Sequence, residues 1–116
     1  MPARTFEFAR RIVKVCQLLD QSPGVSRTLA GQLLRSASSI GANVEEGQAS
    51  QSRADFISKY SIACKEARET HYWLRLLVAS KMMPAARLSS LIDEANQLIA
   101  VLTTIVKKTR ANTTKA

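Results

Sequence analysis

Residues 52–77 read SRADFISKYSIACKEARETHYWLRLL, and their spacing predicts one long helix. Ser52 is followed three residues later by Asp55, a start resembling a capping box, in which the serine hydroxyl accepts a backbone N–H. The next residues recur in steps of four and three without a gap: Phe56, Tyr60, Ala63, Ala67, Thr70, Leu74 and Leu77. Such regularity is typical of the buried seam of a helical bundle. We expect the helix to span about residues 52–80.

A second series lies roughly opposite this seam on the same helix. It consists of Ile62, Glu66, Glu69, Trp73 and Leu76. A helix of a monomeric bundle normally carries one apolar stripe, so a second stripe favours a second buried surface, most simply one formed with another copy of the chain. The predicted interface residues are Ile62, Trp73 and Leu76. The alternative is a wide core face with Trp73 half exposed at its edge.

Three further helices are predicted, over about residues 5–20, 26–48 and 84–109, followed by a basic tail at 110–116 that we expect to be frayed. The first carries the apolar stripe Phe6, Ala9, Val13 and Cys16, with Ile12 and Leu19 beside it. Ser26 is the predicted cap of the second helix, and Pro84 the first residue of the fourth. Short connections place consecutive helices side by side. The expected fold is all-α: an antiparallel up-and-down four-helix bundle forming a single domain over residues 1–116.

The chain is strongly basic, with 17 Lys and Arg against 9 Asp and Glu and a formal net charge of +8. Such an excess favours nucleic acid as a partner and an anionic membrane surface second, although it also serves solubility alone. The candidate phosphate ligands are Arg10, Arg11, Lys14, Lys65, Arg68, Arg75, Lys107, Lys108 and Arg110. Lys65, Arg68 and Arg75 share one polar flank of the third helix. Because the sequence lacks a helix-turn-helix, a zinc finger and an RNA-binding aromatic motif, we expect any RNA or DNA binding to be electrostatic and salt-dependent.

The sequence predicts no catalytic residues, no metal and no cofactor. His71 and Cys64 lie seven residues apart on one flank, without further ligands nearby, so His71 is expected to pack at the edge of the seam. Glu45 and Glu46 are adjacent and diverge on a helix, which prevents them from acting on one substrate. Cys16 and Cys64 are interpreted as small buried hydrophobes in a reducing compartment. With neither a signal-like N-terminus nor an apolar run of membrane-spanning length, the expected location is the cytoplasm.

Glu66 and Glu69 are acids within an apolar stripe, a position that usually requires a cationic or amide partner. Arg35 and Asn43 on the second helix are the candidate partners, and a link from Arg35 to either acid would fix the register of the two helices. The alternative is that both acids are solvated at the edge of the face.

Residues 34–47 read LRSASSIGANVEEG. They resemble the signature of the bacterial four-helix bundle proteins encoded in intervening sequences of 23S ribosomal RNA genes, with Gly41 where many members have Pro and Val44 in place of Ile. The matching positions are Arg35, Ile40, Gly41, Asn43, Glu45 and Gly47, followed later by Glu66 and Glu69. The resemblance covers about residues 6–108. It implies a ring, typically a homopentamer, and no established activity or catalytic residue. The family is similar to the accessory proteins of diversity-generating retroelements, which form basic pentameric barrels that bind nucleic acid and a reverse transcriptase.

Two functions remain open at this point. The first is a non-enzymatic, basic homo-oligomeric bundle that binds nucleic acid through its phosphates. The second is an oligomeric scaffold or accessory subunit with a protein partner, in which the charge is incidental. A clustered basic surface favours the first, whereas scattered charges beside an exposed apolar patch favour the second.

Overall fold

The computed structural model describes residues 1–115, with side chains described as far as Asn112. Over this range the chain forms four α-helices and no strand: α1 (Pro2–Leu19), α2 (Val25–Gln48), α3 (Arg53–Ala79) and α4 (Ala85–Lys115). Short turns join them into an elongated bundle of 52 × 20 × 20 Å. The predicted all-α four-helix fold is therefore confirmed.

The helices pack in chain order: α2 lies against α1 and α3, and α3 lies against α4. The approach of α1 to α4 is the loosest of the four helix pairs. The predicted seam of α3 is confirmed from Tyr60 onward, because Tyr60, Leu74 and Leu77 are almost completely buried and Ala63, Ala67 and Thr70 are inaccessible between them. Phe56, the first residue of the predicted seam, is only partly buried. Within residues 1–115, no helix has both the length and the apolar character needed to cross a membrane.

The predicted buried face of α1 is right for Ile12, Cys16 and Leu19 but wrong for Phe6 and Val13. Phe6 is 65 % exposed and Val13 is 38 % exposed. The core receives the three predicted residues Ile12, Cys16 and Leu19 together with Thr5, Phe8 and Val15. A face centred on this series buries Ile12 and Leu19 almost completely, whereas a face centred on Phe6 and Val13 would leave them at its edge. Rotation by about a quarter of a turn leaves Phe6 and Val13 facing solvent.

Helix α2 begins before the predicted cap. Its N-cap is Gly24, whose φ of 86° lies in the region that glycine tolerates best. Ser26 is inside the helix, where its Oγ donates to the carbonyl oxygen of Leu19 at 2.6 Å. The hydroxyl thus ties α2 to the end of α1 instead of capping its own helix. By contrast, the predicted cap of α3 is confirmed, since the Ser52 hydroxyl accepts from the backbone N–H of Asp55 at 3.0 Å.

Two other helix ends differ from prediction. Helix α1 begins at Pro2 rather than near Thr5, because proline is well accommodated in a first turn that needs no N–H. Helix α4 begins at Ala85, one residue after Pro84, and continues to Lys115. The backbone of most of the predicted tail is therefore helical, and Ala116 lies outside the described residues.

Candidate nucleic-acid interface

A surface groove of about 380 Å³ runs between α3 and α4. We call it the α3/α4 groove. Four of its lining residues come from each helix: Ser61, Cys64, Lys65 and Arg68 from α3, and Thr103, Val106, Lys107 and Arg110 from α4. The groove therefore collects four of the nine predicted phosphate ligands, Lys65, Arg68, Lys107 and Arg110, and none of its lining residues is acidic.

The convergence follows from a pattern that occurs on both helices. Ser61, Lys65 and Arg68 are spaced i, i+4, i+7, and so are Thr103, Lys107 and Arg110. Residues at this spacing share one face of a helix. Because consecutive helices are antiparallel, the two Lys-Arg pairs extend from the hydroxyls in opposite directions. At about 1.5 Å per residue, the four cations cover about 16 Å of groove.

The middle of the groove is held by a contact between the two helices. The Sγ atom of Cys64 lies 3.2 Å from the Oγ1 atom of Thr103, and 3.9 Å from the carbonyl oxygen of Ile99. Nearby, the Ser61 hydroxyl is buried and has no hydrogen-bond partner among the described residues. A buried donor of this kind is uncommon in native proteins. The wall of the groove thus contains one hydroxyl whose hydrogen-bonding capacity the chain leaves unused.

Three of the four cations in this groove are not neutralised by the acids of the described residues. Among side chains described up to Asn112, Lys65, Arg68 and Lys107 form no ion pair. Six of the nine acids are paired with cations outside the groove. Ion pairs occupy Glu7, Asp20, Glu46, Glu66, Glu69 and Glu94. Positive charges that line one groove without an acidic residue add their fields, so the groove is a local source of positive potential.

The basic flank of α3 continues beyond the groove. Arg75 is exposed and lies at i+7 from Arg68, as the sequence predicted. Between them is Tyr72, which is 49 % exposed. The Arg75 guanidinium carbon lies 5.9 Å from the centre of the Tyr72 ring, and the Trp73 ring meets that ring edge-on at 5.1 Å. Tyr72 was missed by the sequence reasoning, although its i+4 spacing from Arg68 was a usable signal.

The remaining predicted phosphate ligands lie elsewhere. Arg10 pairs with Glu7 at 2.7 Å on the exposed side of α1. This hydrogen-bonded pair raises the pKa of Arg10 and lowers the pKa of Glu7. Arg11 donates to the Ser90 hydroxyl of α4 at 2.8 Å, and Lys14 is exposed on α1.

Lys108 follows Lys107 directly but points away from the groove. It lines a separate depression on α4 with Ala100 and Thr104, since successive helical residues diverge by about 100°. Two adjacent lysines of the same helix therefore have different surroundings.

The predicted link between α2 and α3 is present. Arg35 donates one guanidinium N–H to Glu66 Oε2 at 3.2 Å and another to Glu69 Oε2. Glu69 also accepts from the indole N–H of Trp73 at 3.0 Å. Asn43 is not a partner of these acids, because its amide donates to Ser39 within α2. Glu66 is buried, so Arg35 compensates a carboxylate that has lost most of its water.

The other positions of the motif at residues 34–47 differ in burial and in how closely they approach neighbouring helices. Ile40 is fully buried in the core, and Glu45 is exposed. A Cβ added to Gly41 would lie 3.6 Å from the backbone of Thr5, and one added to Gly47 would lie 2.7 Å from the Tyr60 ring. Glycine at position 47 therefore allows α2 to lie directly on an aromatic ring of α3.

The second stripe of α3 is partly covered within the chain. Ile62 is 39 % exposed, whereas Trp73 packs half-buried against the core and Leu76 is intermediate in exposure. The α2/α3 link accounts for the two acids of this stripe. Self-association through Ile62, Trp73 and Leu76 stays a prediction.

The cysteines and the histidine have different environments. Cys16 is buried, and burial raises the pKa of its thiol to about 11. Cys64 is only partly buried because it lines the groove, which departs from the prediction. Burial, together with the charge of Arg75, lowers the pKa of His71. No group of three or more potential metal ligands occurs among the described residues.

An ion pair between α1 and α4 was not predicted. Arg4 donates to both carboxylate oxygens of Glu94, at 2.7 and 2.8 Å, and also to Gln97 at 3.0 Å. The hydrogen bond from Arg4 lowers the pKa of Glu94. This bidentate contact joins the two helices that approach each other most loosely.

Comparison with known proteins places the chain in a family. A crystal structure of a protein with unknown function from the S23 ribosomal protein family of Bacteroides thetaiotaomicron is similar, with 40 % sequence identity and a TM-score of 0.84. The similarity covers 91 % of this chain and 97 % of that one. The comparison with curated proteins gives no match. The sequence model of the 23S rRNA-intervening sequence protein family matches residues 3–104, and the chain therefore belongs to this family.

Proposed function

We propose that the protein is a basic homo-oligomeric bundle that binds RNA or DNA through phosphates in the α3/α4 groove. The observation that carries this proposal is the grouping of Lys65, Arg68, Lys107 and Arg110 along one groove without an acidic residue. Lysine and arginine side chains arranged along a surface are the usual ligands of a nucleic-acid backbone. The activity is binding, requires no catalytic group, and takes place in the cytoplasm.

The expected binding is weak for one chain and strongly salt-dependent. Four phosphate contacts give a slope of log Kobs against log salt of about −2.8 for single strands. A rise from about 50 to about 200 mM salt should then weaken binding about 50-fold. Contacts to phosphates do not distinguish sequences, so the groove positions the nucleic acid without selecting its bases.

Self-association would combine several such grooves. Several large hydrophobic residues are exposed on the surface of the bundle: Phe6 and Val13 on α1, Leu34 on α2 and Ile62 on α3. Contact between unlike surfaces of successive copies closes into a ring when the rotation allows. The family resemblance favours a homopentamer. Linked grooves would raise the affinity for a long strand well above that of one groove.

An alternative function is a scaffold for a protein partner. It is favoured by an open groove between α1 and α2, whose lining includes Val13, Ala30, Gly31 and Leu34 and also the polar or charged Gln17, Asp20 and Arg27. We favour nucleic acid because four cations converge on one groove, and three of them, Lys65, Arg68 and Lys107, form no ion pair with the described side chains. The α1/α2 groove is the first surface to test for a protein partner if nucleic acid does not bind.

The test is fluorescence anisotropy with labelled RNA and DNA at about 50 and about 200 mM salt, with molar mass measured by light scattering in the same buffers. We expect an oligomer that binds both nucleic acids with a Kd in the micromolar range at the lower salt and loses most of that affinity at the higher salt. An oligomer that binds neither at the lower salt would overturn the proposal. A monomer that binds would overturn only its homo-oligomeric part.

A further inference from the structure

Tyr72 is an aromatic side chain in an unusual place. It is 49 % exposed, and it lies outside the apolar cluster that holds the bundle together. The ring is on the polar flank of α3, where charged residues are expected. An exposed aromatic residue among cations contributes little to folding, which raises the question of what its free face contacts.

The position of Tyr72 continues the line of the α3/α4 groove. Lys65, Arg68, Tyr72 and Arg75 are spaced i, i+3, i+7 and i+10 along α3. Their side chains occupy one face, within about 80° of the helix circumference. Tyr72 lies about 10 Å along the helix axis from Lys65 and about 6 Å from Arg68. A strand that follows the groove past Arg68 therefore reaches the tyrosine ring next.

The surroundings of the ring suit a nucleobase. The Arg75 guanidinium lies 5.9 Å from the ring centre, so a base stacked on the tyrosine would also have a cation beside it. The Trp73 ring meets Tyr72 edge-on at 5.1 Å, which limits the orientations of the ring. Nearly half of the Tyr72 residue is exposed to solvent, so a base can reach it. Aromatic rings and arginine planes are the groups on which proteins stack unpaired bases.

We propose that the α3/α4 groove and Tyr72 together form a site for single-stranded nucleic acid, in which Tyr72 stacks on one base. This inference rests on the proposed phosphate-binding function and specifies that the bound nucleic acid is single-stranded. The bases of a duplex are stacked on one another, so they present edges and not faces to a protein. Phosphate contacts serve both classes of nucleic acid, whereas the tyrosine ring can stack only on an unpaired base.

The test compares Tyr72→Ala and Tyr72→Phe with the unmodified protein. The probes are a labelled oligo-dT of about 16 nucleotides and a duplex of the same length, each titrated over a range of salt concentrations. We expect Tyr72→Ala to weaken single-strand binding about 5- to 150-fold, the loss of one stacked base. Tyr72→Phe keeps the ring and should retain the affinity. Duplex binding should change less than about twofold.

The salt dependence separates stacking from charge. Stacking releases no counterions, so Tyr72→Ala should lower the affinity for oligo-dT without changing the salt slope. Lys65→Ala, in contrast, removes one phosphate contact and should reduce the magnitude of that slope by about 0.7. A slope that changes equally in both variants would contradict the stacking role.

Three other outcomes are decisive. If Tyr72→Ala binds oligo-dT as tightly as the unmodified protein, or weakens both probes equally, the inference is wrong while the phosphate-binding proposal stands. If light scattering shows that Tyr72→Ala changes the assembly, the ring is a contact between copies and the inference is again wrong. If the unmodified protein binds neither probe, the phosphate-binding proposal fails and this inference fails with it.

Discussion

The two flanks of helix α3 differ in whether their charged side chains face opposite charges or like charges on the neighbouring helix. Toward α2, its acids Glu66 and Glu69 are met by Arg35. Toward α4, its cations Lys65 and Arg68 share a groove with two further cations, Lys107 and Arg110. The first flank is balanced within the chain, so its charges serve the fold. On the second flank, Lys65, Arg68 and Lys107 form no ion pair with the described side chains, so their charges are available to an external anion. Charge that folding leaves uncompensated is the better indicator of a binding surface.

The largest effect on stability is expected from breaking the balanced flank. Arg35→Ala leaves the buried carboxylate of Glu66 without its cation, because Asn43 is engaged within α2. Loss of a charged hydrogen-bonding partner costs about 2–3 kcal/mol of the free energy of unfolding. Urea denaturation measures this change. Glu45→Ala, an exposed acid of the same motif, serves as the control and should change the free energy of unfolding by less than about 0.5 kcal/mol.

Helices α2 and α3 also pack closely against each other at Gly47. A Cβ there would lie 2.7 Å from the buried Tyr60 ring, whereas a Cβ at Gly31 meets nothing within 4 Å. We expect Gly47→Ala to destabilise the fold by about 1–3 kcal/mol. Gly31→Ala should stabilise it by up to about 1 kcal/mol, because alanine favours a helix more than glycine does. Thermal unfolding of the two variants checks the signs, and equal effects would contradict this account of α2.

A smaller and pH-dependent effect is expected where α1 meets α4. The Arg4 hydrogen bond lowers the pKa of Glu94 in the folded chain. The pair therefore stabilises the protein above the unfolded pKa of glutamate, about 4.3, and loses this contribution as the pH falls through the lower folded value. Glu94→Gln should cost up to about 1 kcal/mol at neutral pH and progressively less toward pH 3. Urea denaturation of both proteins across this range measures the difference, and a constant difference would contradict the assignment.

The smallest effect on stability, and of opposite sign, is expected in the α3/α4 groove. Lys65→Ala and Lys107→Ala together remove two like charges that form no ion pair with the described side chains. Relief of repulsion should raise the free energy of unfolding slightly, by less than about 0.5 kcal/mol. Denaturation at low salt is the appropriate measurement. A loss of about 2 kcal/mol would show that these lysines serve the fold as Arg35 does.

The contrast between the two flanks also explains what the sequence could predict. Glu66 and Glu69 interrupt an apolar stripe, and this local anomaly is enough to require a partner such as Arg35. The groove depends on the register between α3 and α4, which periodicity within one helix does not give. The sequence therefore predicted that Lys65 and Arg68 share one flank of α3, but it did not predict that Lys107 of α4 lies close to them.

The face of α1 was misjudged for a related reason. Two overlapping stripes in this helix have similar regularity, and packing against α2 selects the one with Phe8 and Ile12. The repeated hydroxyl-Lys-Arg spacing at Ser61 and Thr103 was present in the sequence, but its meaning depends on the two helices being adjacent and antiparallel.

We propose above all that Lys65, Arg68 and Lys107 of the α3/α4 groove, which form no ion pair with the described side chains, bind phosphate. Lys107 and Lys108 test it most directly, because they are neighbours in α4 with the same charge and only Lys107 lines the groove. The measurement is the salt slope of RNA binding for Lys107→Ala and Lys108→Ala. We predict that Lys107→Ala lowers the magnitude of the slope by about 0.7 per chain and that Lys108→Ala leaves it unchanged. Equal slopes for the two variants would contradict the claim, because net charge alone would then account for binding.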